Sequence, residues 1–386
     1  MARPGDRTVL EYVSRSADGS LPAGGWTGQY RYEPRSAGRR DVSITRLEDA
    51  MLARSKGAFT TRRVPREAMK TLISGAVRPK SGDLVLARVD KLGFQTRLEL
   101  PTGRKALLHP GDLILIAYGD RYATDQFESE VPTDLGPTNL VATGGVASKV
   151  LSRTAGMKPA TNITPLGLVG DAAGRPLNLA QFAIPPVTTT RKRPRTIAVL
   201  GTSMNSGKTT TNRYLMIGLS QAGYRPGAAK VTGTGSGGDY WSMVDAGAHR
   251  VVDFTDAGFS ATYKIPLEDI EDGMVNLIDH LSEEDCGIIL VEIADGVFQD
   301  QNISLIRSDV FKEYVDGIMF AAGEALGAAR GLDEIAQLGV PVLGLSGKFT
   351  ASQLLIREAT RACCAPIYTK DELSDPELAP RIVGLD

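Results

Sequence analysis

The chain has 386 residues, 42% hydrophobic and 23% charged, with a formal net charge of -1. That size allows two or three ordinary globular domains, and no stretch approaches the run of roughly 18 apolar residues that a membrane helix needs. Three cysteines (Cys286, Cys363, Cys364) and three scattered histidines (His109, His249, His280) leave little material for a disulfide scaffold, a thiolate or histidine metal site, or a Ser-His-Asp triad. The opening MARPGDRTVLEYV lacks the apolar core of a secretory signal, so the expected compartment is the cytoplasm, with no membrane partner.

The charge is uneven. Residues 1–90 hold 17 Lys/Arg against 10 Asp/Glu, a net of +7, so the remainder carries -8. A mildly basic N-terminal third faces solvent or an anionic partner. No tight Lys/Arg run with interleaved aromatics is present, so nucleic acid is the weaker expectation.

Gly, Pro, Ser and Arg are frequent up to Arg40, the texture of loops with a few short strands. Ser43–Lys70 reads as partly helical, with Pro65 in a helix start before Arg66 and Glu67. Residues 1–75 are therefore expected as a mixed N-terminal segment. From Ser81 the chain turns to short apolar or alternating runs (GDLVLARV, RKALLHPGDLILIAYG) cut by Gly, Pro and Asp, which is strand-and-turn texture. Gly82-Asp83 recurs as Gly111-Asp112, each opening an apolar strand. Residues 76–186 are expected as a β-rich, barrel- or sandwich-like domain, and the polar TTTRKRPR region, 187–195, as a linker.

From Thr196 strands alternate with amphipathic segments: TIAVLG, AAKVTG, GIILVE, GIMFAA and PVLGLS are the strands. This predicts an α/β domain over 196–386 with a mostly parallel sheet covered on both faces. Ligands of such sheets lie beyond the carboxyl ends of the strands.

The strongest motif is there. Ile197–Leu200 runs into Gly201-Thr202-Ser203-Met204-Asn205-Ser206-Gly207-Lys208-Thr209-Thr210 and then a helix. Strand, glycine loop, Gly-Lys-Thr and helix in that order make a P-loop: loop N–H groups and the helix N-terminus converge on phosphate oxygens, Lys208 adds a point charge, and Thr209 offers a hydroxyl to Mg²⁺. The loop has five residues between Gly201 and Gly207, one more than the common spacing. Lys230 ends the second strand, and Gly233, Gly235, Gly237 and Gly238 follow in a loop able to wrap a second anion or a substrate carboxylate. Glu292 tips the apolar GIILVE strand at the Walker-B position, a candidate metal ligand. Asp295 is a second acid there, and Asp239, Asp253 and Asp256 are further candidates for the metal shell. Gly323–Gly331 and Gly344–Lys348 follow later strands, where a base or substrate docks or where tight turns simply need small residues.

The order GTxxxxGKT, helix, GYR…K…G and LVE-tipped strand, over roughly residues 196–350, resembles dethiobiotin synthetase and its relatives, among them cobyrinic-acid amidase-type and molybdopterin-guanine-dinucleotide accessory P-loop proteins. That family has the same five-residue spacer. The resemblance implies that Lys208 and Thr209 bind phosphate and Mg²⁺, that Lys230 touches both substrate and γ-phosphate, and that Glu292 is the acidic Mg²⁺ ligand. Ser203 and Asn205 stand where dethiobiotin synthetase carries P-loop acids, and IADGVFQ replaces its Gly-rich motif. A group of bacterial P-loop proteins with an appended N-terminal domain is a closer parallel.

The expected function is ATP- and Mg-dependent transfer of the γ-phosphoryl group to a small-molecule acceptor, either ligase-type activation of a carboxylate or carbamate or a kinase reaction. Lys208 and Lys230 would be its catalytic cations, and a homodimer its working form. The alternative is an NTPase switch whose N-terminal domain binds nucleic acid or a protein.

Overall fold

The computed structural model describes residues 41–187 and 191–385. The expectation of loops up to Arg40, and part of the basic excess, lie outside the described residues. Among the described residues, twelve strands precede the P-loop domain: β1 (Ser43–Arg46), β2 (Lys56–Gly57), β3 (Thr71–Ser74), β4 (Leu84–Lys91), β5 (Arg97–Glu99), β6 (Lys105–Leu107), β7 (Leu113–Tyr118), β8 (Arg121–Tyr122), β9 (Phe127–Glu130), β10 (Thr138–Ala142), β11 (Val146–Arg153) and β12 (Thr161–Gly170).

Five of these close on themselves. β12 pairs with β4, β4 with β7, β7 with β11, β11 with β10, and β10 returns to β12, so this part is a barrel with further strands added at its margins. The alternation in β4 shows why its sequence is nearly all apolar at the start. Val85, Ala87 and Val89 join one core with Ile114, Ile116 and Leu140. Leu84 and Leu86 join a second core with Leu47, Leu52, Met69 and Leu179. A strand buried on both faces reads as a continuous hydrophobic run. Gly82 and Gly111 both have positive φ, and each following aspartate accepts from a backbone N–H three residues earlier; the repeated Gly-Asp is one turn used twice.

The first part of the chain is partly helical, as expected, and also adds strands to the barrel sheet. Over Ser43–Lys70 the helical content is α1 (Asp49–Arg54) and two single 3₁₀ turns, at Phe59–Thr61 and Arg66–Ala68. β1 and β3 pair with each other and β3 with β12, so residues 43–74 extend the barrel sheet rather than standing apart from it. β-branched Ile44, Thr45, Thr71 and Ile73 favour the strands, and the second 3₁₀ turn starts directly after Pro65, as the helix start expected there.

The second sheet holds β13 (Arg195–Gly201), β14 (Pro226–Lys230), β15 (Arg250–Asp253), β16 (Ile288–Glu292), β17 (Gly317–Ala322) and β18 (Val342–Gly347), in spatial order β15-β14-β16-β13-β17-β18. Every neighbouring pair is parallel. Alternate residues face opposite helix layers. Ala198 and Leu200 pack with α4 (Leu267–Glu283), α5 (Asp300–Arg307), α6 (Asp309–Tyr314), α7 (Ala325–Ala336) and α8 (Gln353–Ala362). Ile197 and Val199 pack with α2 (Lys208–Gln221), α3 (Gly238–Asp245), α9 (Lys370–Ser374) and α10 (Ala379–Ile382). The result is the expected α/β domain, joined to a β-rich one. Among the described residues no helix is long and apolar enough to cross a membrane.

The barrel sits on the carboxyl edge of this sheet. Ser260 Oγ donates to Tyr118 O at 2.6 Å, and Gly237 N to Glu99 Oε2 at 2.9 Å. Gly144 has no room for a side chain: a Cβ there would lie 2.3 Å from the Gly235 carbonyl oxygen.

Candidate functional site

β13 ends at Gly201, where a Cβ would fall 2.3 Å from Ser206 Oγ and 2.9 Å from the Ala321 carbonyl oxygen. The loop then turns under itself. Thr202 N donates to Ala321 O at 3.0 Å, and Lys348 N to Ser206 O at 2.9 Å. Gly207 takes φ 107°, a left-handed conformation natural to glycine. α2 begins at Lys208 with no capping side chain, so the N–H groups of Lys208, Thr209 and Thr210 keep the anion-facing role that helix N-termini offer. The Ser206 hydroxyl is buried without a hydrogen-bond partner. Lys208 is also buried and donates from Nζ to Ser203 O at 2.6 Å. Burial lowers its ammonium from the ordinary lysine value, opposed chiefly by Glu292.

Beside it, Thr209 Oγ1 lies 3.1 Å from Asp239 Oδ1 and 3.2 Å from Glu292 Oε1. One hydroxyl hydrogen serves one acceptor at a time, so these oxygens crowd a point that favours a cation. Lys230 Nζ pairs with Asp239 and lies 3.8 Å from Glu292 Oε1. Burial and then the Asp239 charge raise the Glu292 carboxyl. Burial also acts to raise Asp239, but Lys230 and Thr209 outweigh it and hold that carboxyl low. Lys230 is raised, because Asp239 and Glu292 outweigh its desolvation. A hydroxyl and two carboxylates are hard oxygen donors of the kind Mg²⁺ takes. Among the described residues no group of three or more His, Cys, Asp or Glu forms a complete protein cage for a metal, and Mg²⁺ at phosphate sites needs none, since phosphate and water fill its shell. The three residues fit that ion.

Asp295 follows at the β16 exit with φ 60°, a left-handed backbone that costs a non-glycine residue on the order of 1–3 kcal/mol. Its turn is pinned. Val297 N donates to Gly201 O at 3.0 Å, and Asn302 Nδ2 to Ala294 O and Gly296 O at 2.5 and 3.1 Å. Burial raises its carboxyl, countered by Lys208, Lys230 and Arg121.

The cleft above these groups measures about 340 Å³ and is walled by both domains. Lys208, Thr209, Lys230, Asp239, Glu292 and Asp295 line it from the α/β side, with Asn205 and Gly233. The far wall comes from the barrel: Arg121, Tyr122, Ala123 and Gln126. Asp125, in the same barrel loop, accepts a hydrogen bond from Asn205 Nδ2, tying the loop to the P-loop.

Other expected residues lie elsewhere. Gly235 faces Thr60 and Ser260, and Gly237 faces Glu99, Phe59 and Trp241. They let the two domains approach, and Gly238 opens α3. Within that loop only Gly233, Thr234 and Ser236 line the cleft. Asp253 and Asp256 are not at the Thr209 cluster; they bind Arg62 at 3.3 and 2.7 Å. Glu324 caps α7, Gly331 packs under the Phe320 ring, and Gly347 supports the P-loop from beneath. The barrel wall went unread in the sequence. Its one signal is the polar run Gly119–Gln126 directly after an apolar strand.

No protein-family model matches the chain, and no curated protein matches it. Similar solved structures include the signal recognition particle receptor FtsY from Elizabethkingia anophelis, at 14% identity over 52% of this chain and 67% of that one, TM-score 0.33. A DUF1611 family protein from Anabaena variabilis aligns at 13% identity over 54% of this chain and 64% of its own, TM-score 0.37, so the match spans less than two thirds of that protein. The septum site-determining protein MinD from Pyrococcus horikoshii, solved with Mg-ADP, aligns at 13% identity over 50% and 96%, TM-score 0.33. The strand β13, the glycine loop, Lys208-Thr209 and α2, set in an all-parallel sheet, give the second domain the P-loop NTPase fold.

Proposed function

We propose that this chain binds ATP with Mg²⁺ at Gly201–Thr210 and transfers the γ-phosphoryl group to a small acceptor in the cleft between barrel and P-loop domain, in the manner its resemblance to the dethiobiotin synthetase-like group implies. The observation that carries this is the two-walled cleft of about 340 Å³ beside Lys208 and Lys230, a chamber sized for a metabolite rather than a macromolecular face. Thr209, Asp239 and Glu292 would hold Mg²⁺, which neutralises phosphate charge when bound. Lys208 and Lys230 supply fixed positive charge where negative charge develops. An acceptor oxygen forms the new bond to the γ-phosphorus, the bond to the β–γ bridging oxygen breaks, and ADP leaves with that electron pair. An acceptor that is already an anion needs no general base, which suits a site without histidine.

The test is ADP formation by the purified chain with MgATP, alone and with pools of small acids, amines and alcohols. Slow turnover alone and strong stimulation by one small-molecule class is the expected result. Stimulation by nucleic acid or by a protein fraction instead would overturn it in favour of a switch.

A further inference from the structure

Arg121 is the residue that the proposed chemistry leaves unused. It sits on β8, only 7% exposed, and lines the same cleft as Lys208 and Lys230. Its two hydrogen bonds go to uncharged groups: Nη1 donates to the Val141 carbonyl and Nη2 to Gln126 Oε1 at 2.6 Å. Nε is buried with no acceptor, and the Phe127 ring lies 5.8 Å from the guanidinium. The acid whose charge reaches it is Asp295, across the cleft and too far for an ion pair. Burial pulls the guanidinium down to about 10, with Asp295 opposing, so it is still charged at neutral pH. Buried guanidinium groups are ordinarily ion-paired, because desolvating one without a counter-charge is costly. An arginine held this way in a ligand-sized cleft has its counter-charge supplied by what enters the cleft.

The geometry points to Arg121 as the anchor for a carboxylate of the acceptor, making the substrate a small organic acid; this rests on the phosphoryl-transfer reading above. Arginine presents five N–H groups in a planar fork that matches a carboxylate, and two are taken by Val141 and Gln126. Lys208 and Lys230 stand among the three acids Asp239, Glu292 and Asp295, whereas the barrel residues of the lining offer Arg121 as their one charged group, which suits a single carboxylate there. Tyr122, Thr234 and Ser236 supply hydroxyls along its sides. An acid held by Arg121 presents its other end toward Lys208 and Lys230. Arg121 is thereby a specificity-determining residue, brought in from the domain that has no P-loop.

The test is calorimetric titration of the full chain, saturated with MgADP, with acetate, succinate, glutarate and inorganic phosphate, followed by the same titrations on Arg121→Lys. At least one carboxylate is expected to bind wild type and to lose about tenfold or more in Arg121→Lys, which keeps the charge but not the fork; MgATP affinity should stay within about twofold, since Arg121 touches none of the P-loop groups. Should Arg121→Lys fail to fold, the wild type decides through succinate and its dimethyl ester, where only the acid should bind. Equal binding by wild type and Arg121→Lys, equal binding of acid and ester, no carboxylate binding, or a phosphate affinity that falls more in Arg121→Lys than that of any carboxylate would each overturn the assignment. Carboxylate binding that survives a failure of MgATP to bind overturns the phosphoryl-transfer reading and leaves the Arg121 site standing.

Discussion

Nη2 of Arg62 lies 2.7 Å from Oδ2 of Asp256, joining the chain ahead of the barrel strands to the end of the P-loop domain's edge strand. The same nitrogen is 3.3 Å from Asp253 Oδ1, and the guanidinium stacks 4.0 Å from the Phe59 ring centroid. Burial and then the neighbouring Asp253 raise the Asp256 carboxyl, so Arg62 is what makes two adjacent buried acids tolerable. Arg62→Met removes that charge and leaves Arg63, 3.7 Å from Asp256, as partial compensation. The expected loss is about 3–5 kcal/mol, read as a lower urea midpoint, with part regained on adding Asp256→Asn. A midpoint unchanged in Arg62→Met would show that the cluster contributes nothing net.

Gly144→Ala tests whether the barrel must sit where it does. The added Cβ meets backbone at 2.3 Å (Gly235 O) and 2.7 Å (Ser236 Cα), so the two domains must separate by a fraction of an ångström or more. Overpacking of this kind costs about 1–3 kcal/mol. Because the cleft has walls from both domains, on the phosphoryl-transfer reading acceptor KM should rise more than MgATP affinity falls, since the barrel touches the P-loop through Asp125 and Asn205. Equal losses in both would mean that the barrel supports the P-loop itself.

The P-loop domain was legible because its signals are local. The central strands β13, β16 and β17 are largely apolar runs buried on both faces, the glycine loop with Gly-Lys-Thr follows β13, and Glu292 comes at the last position of β16. Register does the rest, setting Lys230 opposite Glu292 on adjacent parallel strands. What could not be read depends on contacts far apart in the chain. Arg121 meets the cleft across about eighty residues from the P-loop, and no periodicity separates a buried arginine from a solvated one. The glycines after Lys230 carried a true signal, close approach of backbone, but not the identity of what approaches. Gly235 and Gly237 make room for Thr60 and Glu99, not for a ligand. In residues 43–74 the helical part was legible, but the joining of β1 and β3 to the barrel sheet was not, because it depends on β12, far along the chain.

Asp316 gives a pH test away from the cleft. Arg193 donates to it through Nη1 at 2.7 Å and Nη2 at 3.1 Å, and Thr196 N adds a bond at 2.7 Å, fixing the entry to β13. Burial acts to raise this carboxyl, but the bonds from Arg193 and Thr196 outweigh it, and the net direction is down. A carboxyl lower in the folded than in the unfolded chain contributes stability that is complete above its ordinary value, about 3.9, and is lost as pH falls through the folded value. Asp316→Asn should therefore cost on the order of 1–2 kcal/mol at neutral pH, and its gap from wild type should close below about pH 4. A gap that stays constant on acidification would show that the ion pair is not its source.

Glu292→Gln separates the site's function from its stability. The buried Glu292 carboxyl faces Asp239 around one hydroxyl, that of Thr209, and Lys230 lies 3.8 Å away and is paired chiefly with Asp239. Two carboxylates so placed repel, and burial adds to the penalty. An amide keeps the shape, can donate to Asp239, and removes one charge. In excess chelator the variant should melt at or above the wild-type temperature. With Mg²⁺ and ATP the order should reverse, because the ion loses a charged ligand, and Mg²⁺ dependence of nucleotide binding should shift by about 10–100-fold. Thr209→Val should weaken Mg²⁺ dependence in the same direction without the gain in chelator, since it leaves both acids in place. A Glu292→Gln protein that melts lower than wild type in chelator yet keeps the wild-type Mg²⁺ requirement would make Glu292 a structural partner of Lys230 and not a metal ligand.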